Sequence, residues 1–172
     1  MKSVKTILTL VTLLILSSGI YAQDFEVPKN VKMKKAKDYE KYEADVIKAV
    51  NWLESTPLNK YKNKRRDVNQ FLMQWLSGAP NVTIEIGTFQ LDYTENNPEL
   101  LMIFMGAWAK ETLENPDADD KVLAGNLAGF KSILKFYKAN IDKGLKKNRK
   151  MEKLLKLSDT ELEAWVKEQV KG

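Results

Sequence analysis

The chain of 172 residues contains no cysteine and no histidine. Without cysteine there is no disulfide and no thiol nucleophile, so stability rests on packing alone. Without histidine the commonest general base and the commonest transition-metal ligand are both missing. The two absences exclude Ser-His-Asp and Cys-His catalysis within the chain, and zinc sites built on those side chains. Carboxylate, lysine or tyrosine chemistry stays open, as does no chemistry at all. Long apolar runs are scarce too. Ile7 to Leu16, apart from Thr9 and Thr12, and Leu100 to Ala109 are each ten residues long, where a membrane-spanning helix needs roughly 20.

The first run belongs to a leader. Lys2 and Lys5 make a basic head, the apolar stretch follows, and Ser17, Ser18, Gly19 and Ala22 form a small-residue exit. That order is a secretory signal over 1–22, with cleavage expected between Ala22 and Gln23 and a periplasmic or secreted product with no transmembrane segment. The 28 basic and 23 acidic residues give a net charge of +5, and removing Lys2 and Lys5 leaves +3. Such a balance in an exported chain does not point to nucleic acid.

What remains is of a size for one domain, expected over 31–172 after a flexible lead-in over 23–30. Tyr39, Tyr42, Val46, Val50 and Leu53 recur at three and four, as do Val68, Phe71, Leu72, Trp75 and Leu76. Both sets make one face of a helix. Pro57 closes the first segment, and Gly78 with Pro80 closes the second. Asn97-Pro98-Glu99 reads as a capped helix start. It precedes "LLMIFMGAWA", apolar on every side and hence the expected central helix. Leu123, Leu127, Phe130, Leu134, Tyr137 and Ile141 make a packing seam beside Ala124, Gly125, Ala128 and Gly129, small residues that admit a close neighbour. A Lys-rich helix is expected from about 146 to 157, and Ser158 with Glu161 forms a capping box for the last helix. The four Trp, at 52, 75, 108 and 165, share no period, so the chain carries no tandem repeat.

One stretch departs from this pattern. In "NVTIEIGTFQLDY" the apolar residues Val82, Ile84, Ile86, Phe89, Leu91 and Tyr93 alternate about Gly87-Thr88. A two-residue loop with glycine first suits a type II′ turn, which predicts a β-hairpin over about 82–93 inserted in a bundle of five or six helices. That register places Glu85 and Asp92 as diagonal neighbours on the polar face, at a spacing comparable with the carboxylate pair of a retaining glycosidase. They are the candidate catalytic residues.

Other motifs are less specific. Asp117 and Asp119 in "NPDADDK" are candidate calcium ligands, although the loop has Asp120 where an EF-hand needs Gly and Asn126 where it needs Glu. Ser132 and Lys135 match S-x-x-K without the accompanying K-T-G. Two basic stretches, Lys60 to Arg66 and Lys143 to Lys156, suggest an acidic partner. Arg65, Arg66, Lys146, Lys147 and Lys150 are the candidate ligand-binding residues. The sequence therefore predicts a mostly helical, exported, non-catalytic protein without a cofactor, binding an unknown protein or an anionic envelope component. The alternative is a small carboxylate-dependent hydrolase of envelope glycans, and a calcium-dependent adaptor stands third.

Overall fold

The computed structural model describes residues 25–171; the leader expected over 1–22 lies outside them, with the first residues of the lead-in. Among the described residues the chain forms eight α-helices and no strand. They are α1 (Ala36–Glu40), α2 (Glu43–Ser55), α3 (Lys62–Leu76), α4 (Thr88–Thr94), α5 (Glu99–Glu114), α6 (Lys121–Asn140), α7 (Arg149–Leu154) and α8 (Asp159–Lys171), with a 3₁₀ turn, Ile141–Lys143, after α6. A compact helical fold is as expected, but eight helices replace five or six. The first predicted helix breaks at Lys41 and Tyr42, and one helix stands where the hairpin was expected.

The hairpin over 82–93 is not formed, for identifiable reasons. Its first half, Val82 to Gly87, has no regular secondary structure and no strand partner. Val82 is buried, and Ile84 and Ile86 pack against the core. The alternation at period two is thus real in the burial of the side chains, but it describes an irregular segment laid on helices. The second half is α4, because Phe89 and Tyr93 lie four apart and suit a helix face as well as a strand. Gln90 then decides the matter. Its Oε1 accepts the Gly87 N–H at 2.7 Å, supplying a missing partner at the helix start, while its Nε2 donates to the buried Asn126 Oδ1 at 3.0 Å. Gly87 has φ −108° and ψ −173°, an extended conformation and not the positive φ of a type II′ turn. Leu91, which the hairpin would bury, is 42% exposed. An isolated two-stranded ribbon is marginal in water, whereas this helix gains a side-chain cap and an aromatic contact.

α5 is the central helix, buried at Leu100, Met102, Ile103, Phe104 and from Gly106 through Ala109. It packs most extensively on α6, and also meets α2, α3 and α4. Gly125 and Gly129 of α6 receive side chains: a Cβ at Gly125 would fall 2.2 Å from Trp108 Nε1, and one at Gly129 2.5 Å from Phe104 Cε2. The close neighbours that these two small residues admit are aromatic rings of α5. Phe104, Phe130, Tyr93 and Trp165 continue outward as edge-to-face pairs with centroids 5.0 to 5.5 Å apart, linking α4, α5, α6 and α8.

Polar side chains join distant segments. Asn97 does not cap α5. Its Nδ2 donates to Lys146 O at 2.9 Å and its Oδ1 accepts the Lys146 N–H at 2.7 Å, so one buried amide anchors the loop before α7. Asn140 Oδ1 accepts the Leu58 N–H at 2.8 Å and ties the α2–α3 loop to the end of α6. Asn148 caps α7, accepting from Lys150 N and Met151 N. The Ser158–Glu161 capping box is present, with Ser158 N donating to Glu161 Oε2 at 2.8 Å and Glu161 N to Ser158 Oγ at 3.3 Å. Phe25 is 4% exposed and lies against Phe71, so the lead-in is anchored at that ring.

Candidate functional site

The aromatic chain that leaves the core between α4 and α8 reaches the surface as the floor of a groove. Phe89 and Tyr93 come from α4, Leu154 from α7, Leu157 from the loop after it, and Trp165 from α8; the groove has a volume of about 390 Å³. Helical spacing puts Phe89 and Tyr93 on one side of α4, where Phe89 stacks on Phe130 at 5.9 Å and Tyr93 meets Trp165 edge-on at 5.5 Å. Asp92, Lys150, Lys153 and Gln169 complete the lining.

The charges on this rim are organised. Lys150 Nζ donates to Asp92 Oδ2 at 2.6 Å, a contact that joins α4 to α7 across 58 residues, and both side chains are about half exposed. The same ammonium lies 5.9 Å from the Tyr93 ring centroid, within cation–π range. Its hydrogen bond to Asp92 holds the Lys150 pKa above its ordinary value. Burial pushes the Tyr93 phenol up, with Lys150 opposing and Asp92 reinforcing the shift. The rim thus sets Lys150, Lys153 and Asp92 around an apolar floor. Pockets that accept small molecules have this character, apolar walls with a few placed polar groups.

The other sequence candidates are dispersed. Glu85 is exposed and lines a different pocket from Asp92, so the diagonal pair does not exist. Asp117 and Asp119 are exposed, and Asp120 is committed to capping α6 through the Leu123 N–H. Asn126, at the twelfth place of the calcium-loop reading, is buried against Gln90. No cluster of three or more metal-capable side chains occurs among the described residues. Ser132 Oγ donates to Glu54 Oε1 at 2.6 Å and lines a charged cleft with Lys135. Arg66 pairs with Asp67 at 3.2 Å on the surface, and Lys146 and Lys147 are exposed. Arg65 is buried. Among the described residues no helix is long and apolar enough to cross a membrane.

Of the sequence candidates, the groove brings together only Asp92 and Lys150. Tyr93, Lys153, Leu157 and Trp165 were not singled out as site residues, since each had a sufficient role as a core or surface position. The signal available was Phe89 and Tyr93 at a spacing of four, which marks a helix face as readily as a strand. Comparison with protein-family models, with curated proteins and with solved structures finds no match to this chain.

Proposed function

We propose that the protein is an exported, non-catalytic binding protein whose ligand is a small amphipathic anion of the cell envelope, held in the groove between α4, α7 and α8. The observation that carries this reading is the pairing of an aromatic and leucine floor with two lysines on its rim. An apolar body lies on Phe89, Tyr93, Leu157 and Trp165, where burial supplies most of the affinity at about 25 cal/mol per Å². An anionic head meets Lys150 and Lys153, which fix its orientation. The leader expected over 1–22 supports the envelope as the place of action.

Calorimetric titration with decanoate tests the reading. Binding is expected for decanoate and not for acetate, whose single methyl group offers the floor almost no apolar surface. Replacing Lys150 and Lys153 together by Gln should weaken decanoate about tenfold or more, the scale of one or two charge-assisted contacts. Trp165→Ala should weaken it independently by opening the floor. Absence of binding, or equal affinity in all three proteins, would overturn the groove as the site.

A further inference from the structure

Asp92 lies in the last turn of α4, and Glu95 occupies the C-cap; that turn carries no base. The negative end of the helix dipole disfavours acids at such positions, so neither acid is explained by its own helix. What Asp92 meets is Lys150 of α7, 58 residues on, whose Nζ donates to its Oδ2 at 2.6 Å. The pair does little for the fold. Both side chains are about half exposed, and ion pairs at such exposure contribute little to stability, because water screens them and both side chains lose freedom.

Its place is more telling than its strength. Asp92 and Lys150 both line the groove floored by Phe89, Tyr93 and Trp165. A carboxylate of the chain thus sits on one of the two lysines available to a ligand's anionic head. The other, Lys153, lies three residues on and makes no ion pair among the described residues. Asp92 leads the groups that hold the Lys150 pKa above its ordinary value, whereas Glu95 contributes least and only through its charge. An anion approaching Lys150 has two ways to bind. It displaces Asp92 and breaks an existing charge-assisted bond, or it lies beside Asp92 and meets like-charge repulsion. An uncharged head meets neither penalty.

We propose that Asp92 is the specificity-determining residue of the groove: it holds Lys150 in the place of the ligand's anionic head until an amphipathic anion displaces it. The inference rests on the groove between α4, α7 and α8 being the binding site. Small anions bring no apolar surface to offset the displacement, so they leave the Asp92–Lys150 pair closed. An anion with an apolar body gains on the floor what it loses at the rim. Asp92 therefore lowers affinity and raises selectivity, the usual effect of a repulsive group placed against the wrong ligands.

The test compares decanoate with 1-decanol, equal in chain length and different in head, by titration of the mature protein followed through tryptophan fluorescence. Both should bind. Asp92→Asn should tighten decanoate about twofold to fivefold, the scale of a half-exposed ion pair, and leave decanol unchanged. Lys150→Gln removes the lysine that Asp92 guards, so adding Asp92→Asn to it should bring no further gain. Glu95→Gln, outside the groove lining, should tighten decanoate less than Asp92→Asn does. The thermal midpoint of Asp92→Asn should stay near that of the wild type. If both compounds bind but Asp92→Asn fails to tighten decanoate, shifts the two equally, or is matched by Glu95→Gln, the role of Asp92 is overturned and the groove stands. If neither compound binds any of these proteins, the groove is overturned and the role of Asp92 with it.

Discussion

Gly125→Ala tests how the central helix pair is held together. A Cβ at this position falls 2.2 Å from Nε1 and 2.3 Å from Cδ1 and Cε2 of Trp108, where relaxed heavy-atom contact needs about 3.5–4.0 Å. The indole has to retreat by more than about 1 Å to restore that contact. It has nowhere to go, because Trp108 is 1% exposed and Phe104 closes one side edge-on with centroids 6.0 Å apart. Two opposing effects set the magnitude. Alanine is favoured over glycine in a helix interior by about 1 kcal/mol, and overpacking a tight core costs about 1–3 kcal/mol or more. With ring atoms this close the upper end applies, for a net loss of about 2 kcal/mol and a Tm lowered by roughly 4–8 °C in a chain of this size. Urea unfolding followed by far-UV circular dichroism measures it. Gly87→Ala is the control: its Cβ would meet only Gln90 Oε1, at 3.4 Å, and the change should stay within about 0.5 kcal/mol. Adding Trp108→Leu to Gly125→Ala should cost less than the sum of the single changes, since the second removes the clash made by the first. A Gly125→Ala protein that unfolds at or above the wild-type midpoint would refute the seat assigned to Trp108.

Asn97→Ala should lose about 2–3 kcal/mol, because it deletes both bonds to Lys146 and leaves a peptide N–H and C=O without partners; an unchanged urea midpoint would contradict this. Acid should destabilise the fold through Asp38 and Glu161. The backbone N–H groups of Lys34 and Lys35, with Lys41 adding, hold Asp38 below its ordinary value of 3.8, and Ser158 holds Glu161 below 4.5. A depressed folded pKa contributes stability that is complete above the unfolded value and is lost as pH falls through the folded one, so unfolding midpoints should drop below about pH 4. Asp38→Asn with Glu161→Gln should flatten that drop. Glu43, raised by burial and then by Glu40, acts in the opposite sense and limits it. Intact mass of the exported protein should place its N-terminus at Gln23, and an unprocessed chain in the membrane fraction would contradict the leader.

Some features follow from short-range chemistry and are legible without a fold. Helix periodicity, the stop at Pro57, the Ser158–Glu161 box and the all-round apolar helix at α5 depend on residues within a few positions of one another, so spacing and residue type suffice to read them. The segment from Val82 to Tyr93 shows the limit. Alternation at two and spacing at four coexist there, and the choice between strand and helix fell to Gln90, whose amide bonds Gly87 nearby and Asn126 on a distant helix. A contact across 36 residues has no local signature. The same holds for Asn97, whose local reading as a cap yielded to two bonds with Lys146, and for the candidate site. Asp92 and Lys150 are brought together by helix packing and the asparagine ties. Charge runs in the sequence marked which residues were available to an anion; only the tertiary fold decided which were buried, which were paired with carboxylates and which share a wall.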